Sequence, residues 1–177
     1  MSRIVSTAFP RALLLTVLLV GISLLATGCE TTGTTFYLLK AQIEAPAQSQ
    51  SVEVISLAVV MPDYLNRPQL VRRTSDYTLR YDEFHRWAQP LEEILSETLA
   101  DNLRNATGRP VAITYPEDAT VLVSVRRFDD DGDNAHGEFE CTLPRVKGSM
   151  FTVTTKQPIR GISDVAAAQS KSLADVA

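Results

Sequence analysis

Pro62 and Pro68 set the strongest constraint on this chain, because each removes a ladder donor from a stretch that otherwise reads as β-structure. The stretch is Val52–Arg73, VEVISLAVVMPDYLNRPQLVRR. Val52, Val54 and the run Leu57–Met61 are β-branched or apolar, the pattern of a strand buried in a sheet interior. The chain must leave the sheet at Pro62, turn through Asp63-Tyr64-Leu65-Asn66-Arg67, and restart as a second strand after Pro68. An aromatic, an aliphatic and a cation therefore fall on one connection. Two readings stay open: a well-formed turn that only joins two strands, or a binding edge, since recognition concentrates on loops.

Downstream, Gln69–Thr74 and Tyr77–Tyr81 form a hairpin pattern about Ser75-Asp76, with Arg72, Arg73 and Arg80 expected on the solvent side. Arg86-Trp87-Ala88-Gln89-Pro90-Leu91 introduces a helix. Pro90 suits the first turn, where its missing N–H is not needed. Leu91, Ile94, Leu95, Leu99 and Leu103 then recur on one face, opposite Glu92, Glu93 and Glu97, and Gly108 closes the helix. Trp87 is expected in the core or stapled against the helix start. Arg109–Thr114 and Ala119–Phe128 read as strands and Asp129–Asn134 as an acidic turn. Gly137–Leu143 and Met150–Thr155 are β-like, with Pro144 interrupting. In the tail Ile162–Ala177, Ser163 can cap a helix whose stripe runs Val165, Ala168, Gln169, Ser172, Leu173 and Val176. The expected fold class is α/β: a single domain with a mixed β-sheet and helices packed on it.

The N-terminus bears on location. Arg3 and Arg11 precede Ala12–Leu25, an uncharged run too short for a comfortable membrane span but suited to a signal-peptide core. It ends in Leu25-Ala26-Thr27-Gly28-Cys29, which resembles the lipobox of bacterial lipoproteins, with Ala26 where leucine is commonest. That resemblance implies a leader at 1–28, lipidation of Cys29, a tether at 29–35 and a periplasmic domain at 36–177. Several acyl chains on Cys29 would hold firmly where one alone is marginal. Glu30 follows the cysteine in place of the aspartate associated with inner-membrane retention. The expectation is therefore the outer membrane, periplasmic face, with the inner membrane as the alternative.

Composition narrows the chemistry. The 177 residues are 45% apolar and 21% charged, enough for a sizeable core. Net charge is −4, and −6 once Arg3 and Arg11 leave with the leader, which argues against a nucleic-acid partner. Two cysteines and two histidines are too few for a zinc cluster or a disulfide framework. Asp129, Asp131, Asp133 and Glu140 match acidic positions of an EF-hand loop. However, Asn134 replaces the required glycine and the flanks are strand-like, so the segment reads as an acidic hairpin tip with no metal. There is no G-x-S-x-G elbow, glycine-rich phosphate loop or H-E-x-x-H motif. His85 and His136 are isolated, Asp82 and Glu83 form a solvated charge cluster, and Cys141 reads as a buried small hydrophobe. No catalytic residues and no cofactor are expected, which disfavours a periplasmic hydrolase.

Three signals then coincide: the lipobox, Phe36-Tyr37-Leu38-Leu39 soon after it, and VVMPDYLNRPQLVRR followed by RWAQPLEEIL. Together they resemble the ABC-type transport auxiliary lipoproteins, the family of the paraquat-inducible intermembrane-transport lipoprotein. The resemblance covers roughly Cys29–Phe128 and thins over Gly137–Lys156, though AAAQSKSLADVA is similar to the family's closing helix. It implies an anticodon-binding-domain-like or TolB-N-terminal-like domain. It also implies an outer-membrane docking or auxiliary subunit of a phospholipid transport system built around an MCE-domain (mammalian cell entry) protein, assembled as a homo-oligomeric ring. Tyr64, Leu65, Arg67, Arg72 and Arg73 are the candidate partner contacts. The alternative is a structural or assembly-accessory lipoprotein of another cell-envelope complex.

Overall fold

A computed structural model describes residues 33–44 and 52–177. The expected leader, Cys29 and the first residues of the expected tether lie outside the described residues, as do residues 45–51. Eight strands and two helices follow in the order β1 (Thr35–Tyr37), β2 (Ile55–Val60), β3 (Gln69–Ser75), β4 (Thr78–Trp87), α1 (Leu91–Thr107), β5 (Val111–Ile113), β6 (Val121–Asp130), β7 (Asn134–Thr142), β8 (Met150–Pro158) and α2 (Val165–Ala174). All eight strands belong to one mixed sheet, and Thr34–Ala177 forms one compact unit.

β6 is the axis of that sheet. Along one edge it pairs antiparallel with β7, which in turn pairs with β8. Its other edge is shared by two strands in tandem. β2 runs parallel to its first half, from Leu57↔Val121 to Val60↔Ser124, and β3 meets it only at Arg72↔Asp130. The interval between them is the proline-bracketed connection. β5 extends the sheet beyond β2, while β4 and then β1 extend it beyond β3.

The helices cover one face. α1 packs on β2 and β5, α2 on β7 and β8, and the two helices touch. α1 buries Leu91, Ile94, Leu95 and Leu99 on the stripe its sequence predicts, and Gly108 closes it at φ 67°, a backbone conformation that favours glycine. On β7, Ala135, Gly137, Phe139 and Cys141 face the core, while the intervening residues are half-buried. Gly137 is required there: a Cβ would meet the Phe139 ring and the Thr155 hydroxyl at 2.6 Å. Trp87, Phe128 and Phe139 carry an aromatic series across β4, β6 and β7, with successive ring centroids 6.0 and 6.2 Å apart.

Several elements differ from the sequence reading. β2 starts at Ile55, and Val52 and Val54 are exposed, because the neighbouring strand registers only from Ile55↔Val111. β4 continues through the polar run to Trp87. Asp82 makes this possible, since one carboxylate oxygen accepts the backbone N–H groups of Phe84 and His85 and the His85 ring nitrogen, stabilising a bulge. Pro144 lies in the β7–β8 loop and interrupts no strand. Ser163 does not cap α2, whose start is preceded by a 3-10 turn in which the Asp164 carboxylate accepts the Arg160 N–H.

The segment between β1 and the loop is stitched to both helices. Lys40 N–H donates to Ser170 Oγ, and the buried Asn102 Oδ1 accepts the N–H groups of Gln42 and Ile43 at 2.9 and 3.2 Å. Asn102 thus occupies a helix-stripe position for hydrogen bonding and not for apolar packing.

Candidate functional site

Two of the sequence signals, Phe36–Leu39 and the proline-bracketed turn with RWAQPL, meet in space. Trp87 N–H donates to the Pro68 carbonyl at 2.7 Å, and Ala88 N–H donates to the Tyr37 carbonyl at 2.9 Å. These two bonds tie β1, the proline-bracketed turn and the approach to α1 into one corner of the sheet. The turn itself closes by Leu65 N–H to Pro62 O at 3.0 Å and Asn66 N–H to Asp63 O at 3.1 Å.

Its side chains divide sharply. Leu65 is fully buried in the core and offers no surface to a partner. Tyr64 is half-buried, and its hydroxyl donates to the Arg126 carbonyl at 3.0 Å. That carbonyl falls between the last β2 pair, at Ser124, and the β3 pair, at Asp130, where β6 has no strand partner on this edge. Tyr64 supplies the donor that the missing strand would have given. Burial pushes the Tyr64 hydroxyl above its ordinary pKa, and the Asp129 charge pushes the same way. Tyr64→Phe is therefore expected to lower stability by about 1 kcal/mol in chemical denaturation, the net worth of one hydrogen bond.

Arg67 is exposed. Its guanidinium lies 5.9 Å from the centroid of the Tyr81 ring, whose hydroxyl donates back to the Tyr64 carbonyl at 3.3 Å. Arg67 is thus held in place and remains open to solvent. Two shallow grooves flank the turn. One, about 400 Å³, is lined by Val60, Met61, Tyr64, Ser124 and Arg126; the other, about 410 Å³, by Arg67, Pro68, Trp87, Gln89 and Pro90.

Arg72 and Arg73 do not point freely into solvent, as the hairpin pattern suggested. Arg72 pairs with Asp130 at 2.6 Å, and Arg73 with Asp129 at 2.8 Å, where Arg127 also reaches at 2.7 Å. Both carboxylates are completely buried, so the acidic turn shrinks to Asp131–Asp133 and its first two acids belong to β6. Burial raises the Asp130 pKa, and the Arg72 guanidinium opposes that rise. Gln169 on α2 adds a clasp, donating to the carbonyls of Asp129 and His136 at 3.1 and 3.0 Å. The acid doublet beside an arginine doublet was the available sequence signal for this cluster, but turn-forming composition masked it.

The EF-hand-like spacing does not converge. Asp129 holds two arginines, whereas Asp131 receives His136 at 2.7 Å, and among the described residues no group of three or more potential ligands could hold a metal. Burial would raise the Asp131 pKa, but the His136 hydrogen bond and the backbone N–H groups of Asn134 and Asp133 hold it far below the usual range. Cys141 is buried, which pushes its thiol up and disfavours the reactive thiolate. What the corner offers is an exposed cation held over a tyrosine ring, two flanking grooves and a hydrogen-bonded backbone.

Comparison with known proteins gives the family and the fold. Residues 37–177 match the family model described as ABC-type transport auxiliary lipoprotein component. The crystal structure of a Xanthomonas campestris protein of the DUF330 family superposes with a TM-score of 0.62 at 21% identity, covering 81% of this chain and 90% of that one. A crystal structure of an uncharacterized protein superposes with a TM-score of 0.59 at 22% identity, covering 81% of this chain and 94% of that one. These two likenesses establish the fold. No curated protein matches significantly.

Proposed function

Because this chain belongs to the family of ABC-type transport auxiliary lipoprotein components, we propose that it is the outer-membrane docking subunit of an MCE-type intermembrane phospholipid transport system. The family is a transport component and not an enzyme class. Acyl chains on Cys29 hold the domain on the periplasmic face, and several copies form the ring that receives an MCE-domain partner. Among the described residues no helix is long and apolar enough to cross a membrane.

The observation that carries this reading is the corner where Trp87 N–H donates to the Pro68 carbonyl and Ala88 N–H to the Tyr37 carbonyl. It places the exposed Arg67 one residue before Pro68, on a connection tied through the end of β4 to β1. Of the residues considered for docking, Arg67 and the exposed part of Tyr64 are assigned to contact. Leu65, Arg72 and Arg73 support them from within.

Affinity purification of the tagged, lipidated chain from detergent-solubilised membranes tests the assignment. The expected product contains an MCE-domain protein; recovery of outer-membrane assembly subunits without one contradicts it. Arg67→Ala is expected to reduce that recovery while leaving the melting temperature within the small range of surface substitutions. Cys29→Ala is expected to accumulate as unlipidated precursor absent from the outer-membrane fraction, and normal fractionation of that variant would remove Cys29 as the anchor.

A further inference from the structure

Large apolar side chains are exposed on the limb formed by β1, β4 and the β3–β4 hairpin. Phe36 is 63% exposed, Leu38 60%, Phe84 47%, and Tyr77 at the hairpin tip 97%. β1 is the outermost strand, pairing only with the end of β4, and Phe36 registers with Arg86. Phe84 is lifted outward by the bulge that Asp82 organises. Phe36 and Leu38 flank Tyr37 of the hydrogen-bonded corner, while Tyr77 and Phe84 lie outside it.

The direction of β1 says what covers this limb. β1 runs parallel to β4, so the chain enters it from the side of the Ser75–Thr78 hairpin tip. Cys29 lies six residues before Thr35, and a chain spans at most about 3.6 Å per residue, so a lipid on Cys29 stays within roughly 20 Å of β1. The exposed aromatics therefore occupy the part of the domain that the tether keeps nearest the lipid surface. Aromatic rings favour the membrane–water interface, and long cationic side chains such as those of Arg80 and Arg86 can extend from there to headgroups. Asp76, Asp82 and Glu83 share the limb, with Asp82 paired to His85 and Glu83 to Arg86. Near-balanced charge suits a largely zwitterionic surface.

The geometry points to this limb as a second membrane contact: Phe36, Leu38, Tyr77 and Phe84 rest in the interface of the same membrane that holds the Cys29 acyl chains. The domain then lies on the lipid edge-on, with the β7–β8 loop turned to the opposite end of the sheet. This inference rests on Cys29 as the anchor, which the fractionation of Cys29→Ala tests separately.

The full lipidated chain, reconstituted in phosphatidylethanolamine vesicles, carries an environment-sensitive fluorophore on Tyr77→Cys or, as control, on Val146→Cys in the β7–β8 loop. Cys141 is buried and does not compete for the label. The label at 77 is expected to shift to the blue and to be quenched by brominated lipid, while that at 146 does neither. Adding Phe36→Ser and Phe84→Ser is expected to abolish quenching at 77 without changing the melting temperature, since both side chains are exposed. Absence of quenching at 77, or equal quenching at both positions, overturns the contact. A blue shift at 77 that rises with protein concentration in lipid-free detergent assigns the limb to a second copy instead.

Discussion

Leu65→Ala is expected to lower the free energy of unfolding by about 2–5 kcal/mol, the range for truncating a fully buried leucine. Leu65 is completely buried although it sits in the middle of a turn between two prolines. The turn is therefore an inward-pointing plug as well as a connection, and it packs with the same core as Leu57, Leu70 and Trp87. Urea denaturation monitored through Trp87 measures the loss. A change under 1 kcal/mol would mean that the turn lifts away from the core, and would return Leu65 to the surface residues available for docking. The same truncation is expected to reduce partner recovery only in proportion to the folded fraction.

The second large effect concerns Arg72. Arg72→Ala strands the fully buried Asp130 carboxylate, one of whose oxygens already lacks a partner. The expected cost is about 3 kcal/mol, the lower end for breaking a buried pair, because Arg72 is itself partly solvated. The pH dependence has a definite sign. Burial holds the Asp130 pKa above its ordinary value, and removing Arg72 removes the chief influence that lowers it. A carboxyl whose folded-state pKa exceeds its unfolded value binds its proton more tightly when folded. Its contribution therefore favours the fold at low pH and is lost as pH rises through the folded-state pKa. The deficit of Arg72→Ala relative to the parent should accordingly be largest at neutral pH and narrow on acidification. Asp130→Asn in the same background should restore part of the stability at pH 7. A pH-independent deficit would show that Arg72 acts by packing its stem and not by compensating charge.

The helix stripes, the strand order of residues and the proline-bracketed turn were legible because each follows from local chemistry: periodicity in α1, missing donors at Pro62 and Pro68, left-handed backbone at Gly108. What the sequence withheld was long-range partnership. Asp129 and Asp130 have the composition of a turn, and only the arrival of β3 beside the end of β6 turns them into buried partners for Arg72 and Arg73. Tyr64 was ambiguous between binding and structure for the same reason. Its hydroxyl answers a carbonyl orphaned by the gap between β2 and β3, and that gap exists only in the assembled sheet. Asp82 and Glu83 looked like a solvated cluster, yet Asp82 organises the bulge that lets β4 continue to Trp87. Of the candidate site, the turn itself was readable and the packing of its single residues was not. Arg67 is exposed, while Leu65 packs in the core and Arg72 and Arg73 pair with buried carboxylates.

The central claim is that the corner around Arg67 receives an MCE-domain protein. A photoreactive amino acid at position 67 of the lipidated chain, irradiated in intact cells, tests it most directly, because it captures only what touches that corner in the envelope. The account predicts a dominant adduct with an MCE-domain protein, lost when the probe is moved to position 146. Adducts at position 67 with outer-membrane assembly subunits alone, or none above the position 146 control, would contradict it.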